Sequence, residues 1–165
     1  MKKIYSAFAL FGIAAFMLSC TGSKQVRTDR STVSGKWLLQ KVEIKGIPLA
    51  SQTKAELLNE ADLSCFEGST WSFNSINSLG SYSINKNAGE CASLIRHIRW
   101  TVNESNSAIK TIQFKKVNER YKDLEEGKAG YRFNILQLDA NGMQWESQVN
   151  FEGRQASFIY HFVKQ

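Results

Sequence analysis

Side chains able to do covalent or metal chemistry are few in this chain: three cysteines (Cys20, Cys65 and Cys91) and two histidines (His97 and His161). The histidines fall on different predicted strands, and neither has a second ligand at metal spacing, so no metal is expected. Carboxylates cluster only between Asn118 and Gly127, where Glu119, Asp123, Glu125 and Glu126 mix with Arg120 and Lys122. Such a mixed run reads as a solvated connection, with a recognition loop as the other reading. There is no Gly-x-Ser-x-Gly elbow, no phosphate-binding loop and no pair of acidic motifs. Without a nucleophile, a base and an orienting group, no catalytic residue and no cofactor are assigned, and the chain is read as a non-enzyme.

What remains is the chemistry of cysteine, and its kind depends on the compartment. Met1-Lys2-Lys3 is a short positive segment, Ile4 to Leu18 is uncharged and apolar, and Ser19 is small. That order reads as a secretory signal. The apolar run is shorter than the roughly 20 residues a membrane-crossing helix needs. Met17-Leu18-Ser19-Cys20 resembles the lipobox of bacterial lipoproteins. It departs from the usual pattern in having Met three before the cysteine and Leu two before it, both still apolar. The resemblance implies cleavage after residue 19, a diacylglycerol on the Cys20 thiol and a further acyl chain on its freed amine. An uncleaved anchor or an ordinary signal peptide is the alternative. Stable anchoring takes more than one chain, at about 0.8 kcal/mol per buried CH₂, and three chains suffice. Thr21, not Asp, follows the cysteine, which points to the outer membrane.

The space outside the inner membrane is oxidising, and two cysteines remain once Cys20 carries lipid. Cys65 and Cys91 then fit one disulfide closing a loop of about 25 residues, a constraint of around 3 kcal/mol. A pair of buried thiols is the alternative. Neither cysteine lies in a CxxC motif or beside a histidine.

Residues 20–165 are enough for one domain with a proper core. Without Lys2 and Lys3 the chain holds 19 basic and 15 acidic residues, a net charge of +4. That is too weak for a nucleic-acid binder, and export argues the same way. Residues 20–33 are polar from Thr21 to Val33 and are expected to be a flexible tether between lipid and domain. The domain is expected to span residues 34–165.

From Gly35 the pattern is that of strands and turns. Predicted strands are Trp37–Lys45, Thr70–Asn74, Ser81–Asn85, Arg96–Asn103, Ile109–Val117, Gly130–Leu138, Met143–Phe151 and Ala156–Lys164. The alternation in Gly130–Leu138 changes phase near Leu136, which predicts a bulge. One helix is predicted at Gln52–Asp62, capped by Ser51, with Ala55, Leu57, Leu58 and Ala61 as its apolar stripe. Asn141-Gly142 predicts a hairpin with a type I′ turn, and Glu152-Gly153 a weaker one. Period-two strands joined by short hairpins suit a closed antiparallel barrel or a sandwich.

Gly35-Lys36-Trp37 opens the first strand after a polar lead, and this resembles the Gly-x-Trp of lipocalins. The whole arrangement from about residue 34 to 165 resembles lipocalin-like lipoproteins of bacteria. Trp37 stands in the first strand, a polar or helical insert follows, Cys65 precedes Trp71 and Phe73, and Cys91 precedes Trp100. The resemblance implies an all-β fold: an up-and-down, eight-stranded, lipocalin- or calycin-like barrel with one short helix after the first strand. It also implies that Gly35 and Trp37 close one end. The Thr-Asp-Tyr motif of animal lipocalins is missing. For the arginine that packs over the tryptophan in that family, Arg154 is the candidate by position.

An eight-stranded barrel is either filled by side chains or holds one small ligand. The predicted inward set is Trp37, Leu39, Trp71, Phe73, Tyr82, Ile84, Trp100, Val102, Ile112, Phe114, Phe133, Ile135, Trp145, Phe158, Tyr160 and Phe162. Among these, Trp71, Phe73, Tyr82, Trp100, Phe114, Phe133, Trp145 and Tyr160 are the residues expected to line a cavity, if the interior is one. Two functions follow. One is a membrane-anchored carrier of a small apolar or amphipathic molecule. The other is a protein-binding barrel, an envelope inhibitor or assembly factor, acting through loops such as Asn118–Gly130. Lipoprotein barrels that inhibit lysozyme are similar only in architecture, because their Ser-Gly-x-x-Tyr motif is missing here.

Overall fold

Strands apolar on one face and polar on the other bury the apolar face by closing on themselves, which leaves no unpaired edge. The computed structural model describes residues 24–46, 56–85, 91–104, 109–125, 127, 129–151 and 153–165. The signal segment, Cys20, Ser51 and the first part of the expected helix, Gln52 to Ala55, lie outside the described residues. The elements run α1 (Lys24–Val33), β1 (Gly35–Lys45), β2 (Glu56–Leu57), β3 (Ala61–Asp62), α2 (Leu63–Phe66) and β4 (Thr70–Asn74). They continue with β5 (Leu79–Ile84), β6 (Leu94–Glu104), β7 (Lys110–Val117), β8 (Tyr131–Leu138), β9 (Gly142–Phe151) and β10 (Arg154–Lys164).

Strands β1 and β4 to β10 form a closed antiparallel barrel, and β2 and β3 form a separate hairpin. The eight barrel strands are those expected from the alternation. β1 closes the cylinder by pairing with β4 over Gly35–Leu38 and with β10 over Trp37–Lys45. The expected bulge lies in β8, where the register with β9 shifts between Ile135 and Gln137 and Leu136 turns out to solvent. The β8–β9 hairpin forms where expected, but not through a type I′ turn, since neither Asn141 nor Gly142 has a positive φ. Instead the Asp139 carboxylate accepts the N–H groups of Asn141 and Gly142, each at 2.8 Å. Asp139 thus supplies by side chain what the left-handed backbone was expected to supply. The Gln137 amide and these two N–H groups hold the Asp139 carboxyl below the usual carboxylate range.

Two expectations need correction. Over its described part, the predicted helix Gln52–Asp62 is the β2–β3 hairpin, and the helical turn α2 comes after it. The reason is tertiary: Leu58 and Glu60 both enter the end of the barrel. Residues two apart point to opposite sides of a helix, and the left-handed turn at Leu58 and Asn59 brings both side chains to the same end. The predicted flexible tether is α1 from Lys24 onward. A polar helix of ten residues is marginal alone, so the barrel holds it. Val33 is fully buried, and its carbonyl accepts the Trp37 indole N–H at 2.7 Å. Asp29 pairs with Lys110 at 2.9 Å. Arg30 donates to the Ser75 carbonyl and the Ser78 hydroxyl and lies 5.1 Å from the Trp100 ring centre.

The barrel therefore has two unlike ends. α1 covers the end where β1 begins and β10 finishes. At the opposite end, the mouth, β2, β3 and α2 form a lid. A disulfide between Cys65 of α2 and Cys91 ties the lid to the lead into β6, in agreement with the bridged reading of the two cysteines.

Candidate ligand-binding site

The closed end sets the floor of the site. Trp37 is fully buried there, with the Lys164 ammonium 4.1 Å from its ring centre. Lys164 also donates to the Thr32 and Ser34 carbonyls. Gly35 sits at φ +120°, and a Cβ on it would come within 2.9 Å of the Lys164 nitrogen. Gly35 and Trp37 thus lie together at the end that α1 covers. Arg154 is not with them: it is exposed beside the β9–β10 turn at the far end of the strand, and Lys164 occupies the cationic position over the tryptophan. Burial pushes the Lys164 pKa down.

The middle of the barrel is filled by rings. Trp71 stacks on Tyr82 at 4.6 Å and meets Trp145, Phe162 and Phe114 edge-on at 5.8, 5.6 and 5.9 Å. Phe73 lies 5.3 Å from Trp100 and 5.7 Å from Trp145. Phe114 stacks on Phe133 at 5.5 Å. The indole N–H groups of Trp71 and Trp100 are held by the Ser69 hydroxyl and the Leu79 carbonyl. That of Trp145 is buried and meets no acceptor among the described residues, with the Phe162 ring centre 4.6 Å from its own. The predicted inward residues are all buried except Ile135, which is half-buried. On β9, Val149 is 38% exposed, so the inward row ends at Ser147.

Of the eight residues expected to line a cavity, Trp71, Phe73, Tyr82, Trp100, Phe114 and Trp145 pack against one another, and Trp100 and Phe114 also border a groove of about 380 Å³ beside Ser78, Arg99 and Lys115. Phe133 and Tyr160 reach open space. With Tyr131, Ser147, Val149 and Phe158 they form one wall of a mostly apolar cleft at the mouth, Leu57 and Leu58 of the lid form the other, and Glu56 and Arg132 border it. Its volume is about 300 Å³. Burial pushes the Tyr160 hydroxyl up to about 12, and the Ser147 hydroxyl moderates that rise.

Beside this cleft lies a buried polar cluster centred on Glu60, at the tip of the β2–β3 hairpin. Its carboxylate accepts from the Tyr82 hydroxyl and from Arg96 Nε at 2.6 Å. Lys116 Nζ lies 3.5 Å from the same carboxylate and 3.6 Å from Glu125. Lys116 Nζ and the Tyr131 hydroxyl both donate to the Leu58 carbonyl at 2.9 Å. Lys116 and Glu60 side chains are only 6% and 7% exposed. Burial opposes the Lys116 charge, but Tyr131, Glu60 and Glu125 outweigh it and hold its pKa above the ordinary lysine value. Burial, reinforced by Glu60, raises the Tyr82 hydroxyl strongly. Removing one partner from such a buried pair costs about 3–5 kcal/mol, because the other charge stays behind. These bonds also hold the hairpin turn, where Leu58 (φ 56°) and Asn59 (φ 52°) are left-handed. A branched side chain disfavours that backbone by about 1–2 kcal/mol.

The sequence reading missed Glu60, Arg96 and Lys116. The signal for two of them was present: Arg96 is in phase with Ile98, Trp100 and Val102, and Lys116 with Ile112 and Phe114. Glu60 carried no such mark, because its segment was read as helical. The histidines lie on β6 and β10. His97 sits 6.4 Å from the Tyr121 ring, and His161 Nε2 is 3.5 Å from Glu43. Among the described residues, no group of three or more His, Cys, Asp or Glu is placed to hold a metal.

A family model described as a lipocalin-like domain matches residues 33–145. That is more than half of the chain, and the chain belongs to the lipocalin-like domain family. The match begins at the end of α1 and reaches Trp145 in β9, and β10 completes the barrel beyond it. Comparison with curated proteins and with solved structures found no match.

A group whose folded pKa is raised stabilises the fold fully below its unfolded pKa, and that contribution fades as pH rises toward the folded value. For Tyr160 the window runs from about pH 10 to about pH 12. Unfolding free energy should therefore fall across this window, with Tyr82 and Tyr131 acting in the same direction. Tyr160→Phe should remove on the order of 2–3 kcal/mol of that fall. Urea unfolding at pH 9 and pH 12 checks this, and identical slopes for the two chains would refute the burial of the hydroxyl.

Proposed function

We propose that this protein is a lipid-anchored component of the bacterial envelope whose barrel holds a small apolar or amphipathic molecule at its mouth. The observation that carries the binding reading is the apolar cleft between the lid and the β8–β10 wall. With the barrel centre filled, this cleft at the mouth is a concave surface where aliphatic and aromatic side chains converge with a few polar groups, which is the usual make-up of a ligand site. The volume of about 300 Å³ suits a short acyl chain or a single fused-ring skeleton, not a bulky lipid. Membership of the lipocalin-like family points the same way.

The anchoring reading rests on the leader and on Met17-Leu18-Ser19-Cys20. Three residues separate Cys20 from Lys24, the first residue of α1. An extended residue spans at most about 3.5 Å, so acyl chains on Cys20 keep the start of α1 within about 14 Å of the bilayer. Since α1 covers the closed end, an anchor there leaves the mouth free to face the aqueous side. Thr21 after the cysteine supports the outer membrane as the location.

Two experiments test this reading. Nile red should gain fluorescence on the mature chain, and Ser147→Trp, which fills the cleft, should weaken its binding at least tenfold. Equal binding by both chains would place the dye elsewhere and remove the cleft from the account. In cells, radiolabelled palmitate should enter the protein and Cys20→Ser should move it from the membrane fraction to the soluble extract. A Cys20→Ser chain that still takes up the palmitate label would overturn the lipid anchor.

A further inference from the structure

The lid tip places a carboxylate where the barrel wall is built to receive one. Arg96 and Lys116 project inward from neighbouring strands, and the Tyr82 hydroxyl faces them. All three converge on the single Glu60 side chain. None of these groups belongs to the lid, which contributes the anion and the Leu58 carbonyl that Lys116 also binds. A polar cleft of about 410 Å³, bounded by Arg96, Lys116, Leu94 and Glu125, opens beside Glu60. The apolar cleft lies on the other side of the turn, and Asn59 borders both. The turn Leu58–Asn59–Glu60 stands between this polar cleft, where Arg96 and Lys116 face Glu60 and Glu125, and the apolar one.

That turn holds a backbone conformation that residues other than glycine disfavour. Leu58 and Asn59 are left-handed, and the Leu58 carbonyl is tethered by Lys116 and Tyr131. Once the carboxylate leaves its cations, the turn is held by those two bonds to the Leu58 carbonyl and by the Glu60 N–H on the Leu57 carbonyl. The exchange of one carboxylate for another leaves the charge of the polar cleft unchanged, so no buried charge is stranded.

Resting on the apolar-cleft reading above, we propose that Arg96, Lys116 and the Tyr82 hydroxyl form a carboxylate-binding site that Glu60 occupies as a tethered stand-in. The ligand class is an amphipathic monocarboxylate: its carboxylate displaces Glu60, its apolar part lies along Phe133, Phe158 and Tyr160, and the turn lifts to join the two clefts. An uncharged analogue has no means of displacing Glu60 and occupies the apolar cleft alone.

The test compares decanoate with 1-decanol as displacers of Nile red from the mature chain. In Glu60→Gln, decanoate should bind at least tenfold tighter than it does to the wild type, while 1-decanol changes less than threefold. In Arg96→Gln, the preference for decanoate over 1-decanol should disappear. Equal gains for both ligands in Glu60→Gln, or no gain for either, overturn the carboxylate site and leave the apolar cleft standing. Failure of both ligands to bind the wild type removes the cleft reading and this proposal with it. A measurement on the wild type alone guards against variants that do not fold. The ¹³C resonance of the Glu60 carboxyl should shift with decanoate and stay fixed with 1-decanol; a fixed resonance with both overturns the proposal.

Discussion

The ring of Trp71 lies against Tyr82, Phe73, Phe114, Trp145 and Phe162, and this packing decides what kind of barrel the chain can make. An eight-stranded barrel encloses a space just wide enough for side chains to fill or for one small guest. Here the aromatic rings take that space. Offset and edge-on ring pairs add about 0.5–1.5 kcal/mol each beyond the burial of their area. A core built this way is dense, and dense cores resist rearrangement. A guest is therefore confined to the end where the wall parts and the lid begins.

The wall parts because β7 and β8 pair only from Thr111 to Phe114, opposite Asn134 to Tyr131. Beyond Phe114, β7 runs on without β8, and its inward residue there is Lys116, buried and charged. Gly130 makes the separation workable: at φ +83° it turns the chain into β8 so close to the Phe114 carbonyl that a Cβ would stand 2.5 Å from it. An inward lysine and an inward arginine on adjacent strands need an anion, and the lid supplies Glu60. The disulfide keeps the lid close while leaving the hairpin tip held by polar bonds. The closed end solves the same problem differently, with Lys164 and Arg30 laid over the rings of Trp37 and Trp100.

Much of the barrel was legible in the sequence because the period-two pattern is strong where a strand has one wet face. Met143 and Trp145 on β9, Phe158, Tyr160 and Phe162 on β10, and the phase change at Leu136 all carried that signal. What was not legible depended on contacts between distant parts. α1 reads as a polar tether because its inward side is Val33 with Asp29 and Arg30, and the polar pair only makes sense beside Lys110, Ser78 and Trp100. The β2–β3 hairpin reads as a helix because Leu57, Leu58 and Ala61 fit a helical stripe. The turn at Asn141-Gly142 reads as type I′ because the role of Asp139 two residues earlier was not weighed. The site was hidden for a related reason: the alternation placed Arg96 and Lys116 inward, but a charged residue in an inward position needs a partner, and that partner came from a segment assigned to another structure.

Hydrogen exchange of the indole N–H groups tests the filled interior most directly. The four tryptophans give four resonances that can be followed with and without a bound apolar probe. In a solid core, Trp71 and Trp145 exchange only when the whole domain unfolds, at the same rate with the probe present in trace amounts as without it, and their chemical shifts do not move when the cleft is occupied. Exchange of either indole within minutes under native conditions, or a large shift of either on adding the probe, would mean that the barrel centre is hollow and that the guest lies there instead of at the mouth.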